Sequence, residues 1–498
     1  MMKVFVAIDS FKGAAGSAAA CRAAADALRE AGVREADVRE FPISDGGEGF
    51  CECIHHYLGG TWIPLSVTGP EGRTVEAKYL IVSSEAPTNR NVSGAGGISE
   101  VGGISKASGA APKTAFIESA SACGYTLVSA AHPDPREQST DSATRPDPRE
   151  LTSAGVGELI ADAIRRGCTR VVLGLGGTAT MDAGLGLYTA LRNAFSAATG
   201  STFPTPQGST FPAATGSTFP TPQGSTFPAA TDTSCPAGAP LGNIEFTVCI
   251  DTFAPLTGPT GAAYMYGPQK GLRKDQLAEA DAWLSRQASR LGLSPATPGF
   301  GAAGGLLCGL TACLRHFAER NAVFTPCLRH FAERNAVFPL CLRQNAEGKG
   351  PTLKIVSGAE YLIELSGLKE AVKEAAGKDN ILIITGEGCL DEQSLTGKLT
   401  GRIATLATEQ PPATEQTAEQ ATEQTTEQTT EQATEQSRPR TKVLCLAGSI
   451  GKGFDPANSP FDEVLVITPE GTPLSEALAA TADNIRRTLL DYCHNHPL

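Results

Sequence analysis

Short apolar runs recur along the chain, and each ends at glycine, aspartate or serine. These runs cover residues 4–8, 171–174, 246–250, 381–384, 443–447 and 464–467. Helical periodicity follows several of them, at residues 18–30, 156–166, 275–290, 368–376 and 474–490. Strands that alternate with helices predict an α/β fold with parallel sheets, in which ligands bind beyond the carboxyl ends of the strands.

One pair of apolar runs departs from this alternation. Residues 62–67 and 75–82 are joined by a short segment, 68–74, that is rich in turn residues. Such a pair predicts an antiparallel hairpin. Because 498 residues exceed the size of one compact domain, the hairpin indicates a second domain with a mixed sheet.

Five segments have biased or repeated sequence and are predicted to be insertions. Most of them lack enough apolar residues to offset the entropy of ordering, which favours surface loops. A 14-residue unit is the exception, since its Leu314, Phe317 and Phe324 are spaced to line one helical stripe. The five segments are 84–113, 133–146, 201–231, 313–346 and 408–436.

Composition excludes several classes of protein. No apolar run approaches the length that spans a bilayer, so a membrane protein is not expected. The net charge is −12 and no basic stretch is present, so nucleic-acid binding is not expected. The first residues run directly into a predicted strand without a signal peptide, and the 14 cysteines lack the spacing of a small disulfide scaffold. We therefore expect a cytoplasmic protein with reduced thiols.

Glycine and acidic residues cluster where the predicted strands end. Glycines allow backbone N–H groups to approach a ligand closely, and carboxylates can hold Mg²⁺ together with phosphate oxygens. Lysines can neutralise a phosphate or a carboxylate. These parts together favour phosphoryl transfer, which depends on positioning and charge stabilisation. The clusters are Asp9-Ser-Phe-Lys-Gly13, Ser44-Asp-Gly-Gly-Glu-Gly49, the glycine-rich 174–186, Asp251, Tyr266-Gly-Pro-Gln-Lys-Gly271 and the 385–398 segment that contains Glu387, Asp391 and Lys398.

Other motifs do not account for these loops. No Gly-x-x-x-x-Gly-Lys-Ser/Thr sequence occurs, and no Gly-x-Ser-x-Gly sequence supports a serine hydrolase. Gly299-Phe-Gly-Ala-Ala-Gly304 matches the dinucleotide-binding pattern, but it follows the proline-containing 294–298 instead of a strand. Cys51, Cys53, His55 and His56 form a cluster whose spacing is not that of a zinc finger.

The ordered set of loops resembles the signature of the glycerate kinase type-1 family, and the resemblance covers the chain apart from the five insertions. It implies a Rossmann-like parallel-sheet domain built from both chain ends, residues 1–60 and 295–498. It also implies an inserted mixed α/β domain, residues 61–294, with the site in the cleft between the domains.

The resemblance further implies an ATP- and Mg²⁺-dependent kinase that phosphorylates D-glycerate to 2-phosphoglycerate or 3-phosphoglycerate. The chain is then expected to be a monomer or a homodimer that binds a small-molecule substrate. We assign catalysis to Lys12, Asp45, Asp182 and Asp251, and metal binding to Asp45, Asp251 and Asp391. Substrate and nucleotide binding are assigned to Ser10, Gly46, Gly47, Glu48, Gly176, Gly177, Thr178, Lys270, Gly301, Glu387 and Lys398.

Three positions depart from the family pattern and bear on substrate fit. Ala254 stands where the family usually has asparagine, and Ala154 and Val156 stand where an aromatic and a hydroxyl residue are common. Two alternatives follow, a catalytically impaired nucleotide-binding relative and a kinase of another small hydroxy acid. A third, an NAD-dependent oxidoreductase, rests only on residues 299–304.

Overall fold

The computed structural model describes residues 2–83, 112–128, 146–199, 244–319, 351–395, 398–408, 440–451 and 453–496. The predicted insertions lie largely outside these residues, as does Phe324 of the proposed helical stripe.

The described residues form strands and helices that alternate along most of the chain. The strands are β1 (Met2–Val6), β2 (Val38–Glu40), β3 (Thr61–Thr68), β4 (Thr74–Ser83), β5 (Lys113–Glu118), β6 (Cys168–Leu175), β7 (Glu245–Ile250), β8 (Thr352–Ser357), β9 (Asn380–Glu387), β10 (Thr441–Ala447) and β11 (Glu463–Val466). The helices are α1 (Ser17–Glu30), α2 (Phe50–Leu58), α3 (Ala120–Cys123), α4 (Ala154–Arg165), α5 (Leu185–Thr199), α6 (Ala262–Tyr266), α7 (Leu277–Arg290), α8 (Leu306–Glu319), α9 (Gly358–Ser366), α10 (Leu368–Ala375), α11 (Leu399–Thr408), α12 (Leu474–Ala479) and α13 (Thr481–Asn495).

The chain divides into two compact units, and the first is built from both chain ends, Met1–Asp45 and Ala359–Leu498. Its sheet has the order β11-β10-β9-β1-β2, and every neighbouring pair is parallel. Val4 and Val6 of β1 pack with the alanine-rich face of α1 and with α13, while Phe5 is also buried. Burial of successive residues is typical of a parallel sheet covered on both faces. The expected parallel-sheet domain from both chain ends is confirmed.

The second unit contains the described residues between Gly46 and Gly358. Its six-stranded sheet has the order β3-β4-β5-β6-β7-β8. Strands β3, β4 and β5 are antiparallel neighbours, whereas β5 to β8 are parallel. The predicted hairpin is therefore β3–β4, and the predicted mixed sheet is confirmed. Helices α4, α5 and α8 contribute Leu159, Leu187 and Leu310 to the core beside this sheet.

The boundaries of the two units differ from those expected from the sequence, which were 60/61 and 294/295. Helix α2 contacts β4 and β5 of the second unit, and β8 is the edge strand of the same sheet. The unit boundaries therefore fall after Asp45 and after Gly358. The strand β8 was not predicted because it follows directly on the repeated segment 313–346.

The predicted helix over 474–490 is two helices, α12 and α13. The Thr481 hydroxyl donates to the carbonyl oxygens of Ala477 and Leu478, at 3.0 Å each. A side-chain donor that takes helix carbonyls competes with the backbone ladder and helps to end the first helix. Within the described residues, none of the helices has both the length and the apolar character needed to cross a membrane.

Candidate active site

In the first unit, the loop after β1 carries Asp9, Ser10 and Lys12. The Asp9 N–H donates to the Gly386 carbonyl at 3.0 Å, so the pairing with β9 continues one step beyond β1. Ser17 fixes the same loop from α1: its hydroxyl donates to the Ile8 carbonyl at 2.6 Å and accepts the Ile43 N–H at 2.8 Å. These bonds hold the carboxyl end of β1 beside the segment that leads to Asp45.

Asp9 and Asp45 are buried carboxylates beside the exposed Lys12, and we call the three the acid pair with its lysine. Asp9 and Asp45 are each 5% exposed. Lys12 Nζ lies 3.7 Å from Asp45 Oδ2. Burial, and next the charge of Asp45, raises the pKa of Asp9 well above its usual value, although Lys12 opposes this shift. A carboxylate of raised pKa among other charges is suited to accept a proton near neutral pH.

Glu387, the last residue of β9, adds a carboxylate at this end of the sheet. Burial raises the pKa of Glu387, and Lys398 and the hydroxyl of Thr400 act against that increase. The Thr400 hydroxyl donates to Glu387 Oε1 at 2.8 Å. Glu387 also contributes to the raised pKa of Asp9, so the first unit brings both carboxylates into one electrostatic group.

Asp391 and Lys398 lie further along the same segment. Asp391 Oδ1 accepts the Ser394 N–H at 3.1 Å and lies 3.7 Å from Lys398 Nζ. Glycines let this segment pack closely on the loop after β10: a Cβ at Gly448 would lie 2.4 Å from the Gly388 carbonyl oxygen. The predicted site residues of the first unit therefore all lie in loops that follow parallel strands.

In the second unit, the segment Gly46–Gly49, which we call the glycine loop, lies against the end of β6. A Cβ at Gly174 would lie 2.6 Å from the Gly46 carbonyl oxygen, and one at Gly176 would lie 2.6 Å from Gly47 Cα. Gly46 and Gly49 have φ of 102° and 88°, in the left-handed region that favours glycine. The glycines on both segments are therefore required by close backbone approach.

Lys270 is a buried ammonium beside the loop after β6. Its Nζ donates to Thr178 Oγ1 at 3.1 Å and to the Thr180 carbonyl at 2.8 Å. Burial lowers the pKa of Lys270 to about 8, against the opposing charges of Asp182 and Asp251. The structure thus places the Lys270 ammonium against Thr178, with Asp182 and Asp251 close enough to act on its charge.

Asp251 follows β7, next to Thr252. The Tyr266 hydroxyl donates to Thr252 Oγ1 at 2.8 Å, and burial raises the pKa of Tyr266 to about 12, with a smaller contribution from Asp251. Tyr266 therefore stays a neutral donor over the physiological pH range. Sequence reasoning had noted Tyr266 only as part of a motif and had not named it as a site residue.

The Asp182 carboxylate accepts hydrogen bonds from backbone N–H groups. Its carboxylate accepts the N–H groups of Gly184 and Gly186, at 2.9 and 3.0 Å. It also accepts both the N–H and the hydroxyl of Ser153, at 2.9 and 2.7 Å. This arrangement is that of a capping carboxylate, which fixes the starts of α4 and α5. The catalytic role expected for Asp182 does not follow from its geometry.

Gly301 also has a structural setting. Its N–H donates to the Ala254 carbonyl at 2.9 Å, and a Cβ there would lie 2.4 Å from the Pro255 carbonyl oxygen. Residues 299–304 lie between α7 and α8 and include a 3₁₀ turn, Ala302–Gly304. The absence of a preceding strand, expected from the sequence, is confirmed.

The departures from the family pattern have different surroundings. Val156 is fully buried in the core of the second unit. Ala154 is the first residue of α4. Ala254 contributes its carbonyl to the Gly301 contact, and this backbone role does not depend on the side chain at that position.

Two buried carboxylates were missed by sequence reasoning. Asp9 begins the motif Asp9-Ser-Phe-Lys-Gly13, but the sequence analysis assigns it no role. Its position soon after β1 was the available signal. Glu118 ends β5, which the sequence pattern did not identify, so no signal pointed to it. Glu118 is 9% exposed, and burial, followed by the charge of Glu52, raises its pKa to about 8.

The described residues form no group of three or more histidine, cysteine, aspartate or glutamate side chains able to hold a metal ion. Cys51 and Cys53 are buried on α2, while the His55 ring lies 5.6 Å from the Trp62 ring. The carboxylates of the acid pair are nevertheless hard oxygen donors in a buried setting. They fit a cation that takes one or two carboxylates and completes its coordination with ligand oxygens and water, as Mg²⁺ does.

Comparison with known proteins identifies relatives over most of the chain. The family model described as "Glycerate kinase family" matches residues 4–334 and 351–437. An uncharacterized protein of Synechocystis is 30% identical, covering 82% of this chain and 83% of its own length. Glycerate 2-kinase of Escherichia coli is 28% identical over 82% of each chain. A glycerate kinase of Halalkalibacterium halodurans is 26% identical over 96% of this chain and 94% of its own.

A solved structure shows the same fold. It is a presumed glycerate kinase 2 of Salmonella typhimurium LT2, with 22% identity and a TM-score of 0.54, covering 99% of this chain and 98% of the other. Fold and family together define a two-unit α/β protein of the kinase class. The chain belongs to the glycerate kinase family.

Proposed function

We propose that this protein transfers the γ-phosphoryl group of ATP to D-glycerate, in the presence of Mg²⁺, and forms 2-phosphoglycerate or 3-phosphoglycerate. Membership of the glycerate kinase family and the names of relatives support the substrate. The observation that carries the proposal is the acid pair with its lysine: two buried carboxylates at the end of a parallel strand, with Lys12 Nζ 3.7 Å from Asp45. Proton transfer from an alcohol and charge compensation at a phosphate need these groups.

Asp9 is our candidate for the general base. It would accept the proton of the glycerate hydroxyl as the hydroxyl oxygen forms its bond to the γ-phosphorus. The bond from that phosphorus to the β–γ bridging oxygen breaks, and ADP leaves with the electron pair. The raised pKa of Asp9 matches this role, because a stronger base takes a hydroxyl proton more readily.

Lys12 and Asp45 would offset the charges of the phosphoryl group and of the metal ion during this transfer. The Lys12 ammonium can contact a phosphoryl oxygen while it offsets Asp45. Asp45 fits a Mg²⁺ ligand, and Asp391 and Asp251 remain candidates. When bound, Mg²⁺ supplies neutralisation of the phosphate charge that develops on the leaving group. Ser10, Glu387 and Lys398 are retained as binding residues near the same loops.

Lys270 is our candidate for the group that binds the glycerate carboxylate. Thr178 and the Thr180 carbonyl fix its ammonium, which is charged below about pH 8. Gly177, next to Thr178, lets an anion approach the backbone, because a Cβ there would meet only the Ala120 side chain, at 3.4 Å, whereas Gly176 is packed against Gly47. We assign Asp182 to capping, and we propose that Gly46, Gly47 and Glu48 contact the nucleotide.

Phosphorus NMR of a reaction containing purified protein, ATP, Mg²⁺ and D-glycerate tests the activity and the position of phosphorylation together. The phosphorus of 2-phosphoglycerate couples to one proton, and that of 3-phosphoglycerate couples to two. Reactions without Mg²⁺ and with L-glycerate are the controls. Turnover of a different hydroxy acid, with none of D-glycerate, would replace the substrate and keep the kinase.

A thermal shift with ATP but no phosphoryl transfer would favour the catalytically impaired relative. Reduction of a nicotinamide cofactor in a dehydrogenase assay would support the oxidoreductase alternative. Four expectations stay predictions: a cytoplasmic location, no nucleic-acid partner, a monomer or homodimer, and a site in the cleft between the domains.

A further inference from the structure

Glu118 is a buried carboxyl group outside the set that the proposed chemistry uses. It is the last residue of β5, and its Oε2 accepts the Gly49 N–H at 3.2 Å and the Cys51 N–H at 3.4 Å. Both donors lie where the glycine loop enters α2, and Gly49 is the residue before that helix. Glu118 therefore occupies N–H groups that a helix start would otherwise offer to an anion.

The glycine loop is thus fixed by two different elements of the second unit. The end of β6 packs against it through Gly174 and Gly176, which leave no space for a side chain. Strand β5 holds it through the two hydrogen bonds to Glu118. Without the Glu118 bonds, the Gly49 N–H would lose its acceptor, and Gly49 would be held by packing and by the Cys53 N–H that donates to its carbonyl at 3.0 Å.

The charges around Glu118 favour its neutral form. Glu52 of α2 and Glu48 of the glycine loop both raise its pKa, as does burial, while the two backbone donors lower it. Lys78 of β4 is paired with Glu52, at 3.0 Å. The buried Cys51 thiol lies on the same helix, and the charge of Glu118 raises its pKa. The two backbone donors act against burial and the neighbouring carboxylates, so they favour the charged form of Glu118.

We propose that Glu118 is a positioning residue that holds the glycine loop in the conformation that binds the phosphate oxygens of the nucleotide. The binding part of this inference rests on the proposed function. A single oxygen of Glu118 accepts both N–H groups where the glycine loop enters α2, so the loss of that oxygen removes both bonds at once.

Hydrogen exchange of the backbone amides in residues 46–53 tests the positioning without any assay of activity. In Glu118→Ala we expect the exchange rates of the Gly49 and Cys51 amides to increase at least about 10-fold. This factor corresponds to a loss of about 1.4 kcal/mol in the free energy of local opening, since that amount is a factor of ten in an equilibrium constant. Glu118→Gln keeps a carbonyl acceptor of the same length, and its exchange should stay within about twofold of wild type. Glu150→Ala, at an exposed position of the second unit outside the glycine loop and α2, is the matched control. If Glu118→Ala does not fold, Glu118→Asp, which is one methylene shorter, takes its place.

Kinetics with MgATP and D-glycerate test the consequence for binding. We expect KM for ATP to rise at least about fivefold in Glu118→Ala and to return toward wild type in Glu118→Gln.

The outcomes separate this inference from the proposed function. Wild-type exchange and wild-type KM in Glu118→Ala would overturn the positioning role. Equal impairment of Glu118→Gln and Glu118→Ala would overturn the acceptor oxygen as the group that holds the loop. If wild-type protein does not phosphorylate D-glycerate at all, the proposed function fails, and the exchange experiment still decides whether Glu118 holds the loop.

Discussion

Carboxylates at the strand ends have different partners in the two units. In the first unit, Asp9 and Asp45 are buried beside the exposed Lys12, and burial followed by the charge of Asp45 raises the pKa of Asp9, although Asp9 also accepts the N–H of the next residue, Ser10. In the second unit, Asp182 and Glu118 accept backbone N–H groups. The same residue types at similar places therefore perform different work.

This difference in partners distinguishes carboxylates suited to proton transfer from carboxylates that stabilise the backbone. A carboxylate whose oxygens already accept several backbone donors stabilises those donors, and moving a proton onto it would weaken them. A carboxylate held among other charges has a shifted pKa, which suits proton transfer. We therefore expect substitutions in the acid pair to affect the rate, and substitutions of the capping carboxylates to affect folding or loop position.

Asp9→Asn should have the largest effect on the rate. The amide cannot accept the hydroxyl proton, so kcat should fall about 10²- to 10⁴-fold, while the shape of the side chain is kept. A coupled assay of ADP release measures this. In wild type, kcat should rise with pH as Asp9 loses its proton, because the base must be ionised.

The control for Asp9→Asn is Asp491→Asn, the same change at an exposed position of α13. We expect wild-type kcat from it. If Asp9→Asn keeps more than a tenth of the wild-type kcat, Asp9 is not the base, and Asp45 becomes the candidate to examine.

Lys270→Met should lower kcat/KM for glycerate by about 10- to 100-fold, since a hydrogen bond to a charged group contributes about 1.5–3 kcal/mol. The loss should appear mainly in KM for glycerate. Lys274→Met, an exposed lysine in the nearby 3₁₀ turn, is the control. Unchanged KM for glycerate in Lys270→Met would show that another group binds the carboxylate.

The lowered pKa of Lys270 also has a consequence for stability. Between about pH 8 and the usual value of 10.5, the unfolded chain keeps this proton and the native protein does not. The unfolded state therefore binds more protons, and native stability should rise with pH in that window. Urea unfolding at a series of pH values should show this contribution in wild type and not in Lys270→Met.

Asp182→Ala tests the capping role in the second unit. Its four donors would lose their acceptor, so the free energy of unfolding should fall by about 2 to 4 kcal/mol. Urea unfolding measures the change, with the exposed Asp275→Ala as the control. At a temperature where the variant is folded, kcat should remain within about threefold of wild type. A large loss of kcat with unchanged stability would restore the catalytic assignment.

The sequence was sufficient for the alternating strands and helices, because apolar runs that end in glycine or aspartate are a local signal. It also singled out Lys12, Asp45 and Lys270, which stand in motifs near strand ends and whose roles stay predictions. It could not distinguish Asp182 from Asp45, since both are acidic residues in glycine-containing loops. Only the donors around each carboxylate separate them, and Ser153 is 29 positions from Asp182 in the chain.

The missed elements have a related cause. Strand β5 begins at Lys113, at the edge of a biased segment, and its flanks offered no turn pattern that would mark it. Glu118 was consequently not considered, although its contacts to Gly49 and Cys51 join positions 69 and 67 residues apart. Long-range pairing of this kind is set by the sheet order, which a single sequence does not contain.

Thr400→Val should give the smallest effect in the first unit and tests whether Glu387 acts in its ionised form. The substitution keeps the shape of the side chain and removes the hydroxyl that donates to Glu387 Oε1 at 2.8 Å. Loss of this donor disfavours the charged carboxylate, so the pKa of Glu387, already raised by burial, should rise further. One hydrogen bond of about 1 kcal/mol corresponds to about a fivefold decrease in kcat/KM near neutral pH. The decrease should disappear as the pH is raised, since the carboxylate is then ionised in both proteins.

Thr405→Val, on the exposed side of the same helix, removes a hydroxyl that donates to the Gly401 carbonyl and should leave the pH profile unchanged. A fivefold decrease that persists at every pH would mean that Thr400 acts on the packing of α11 and not on the charge of Glu387.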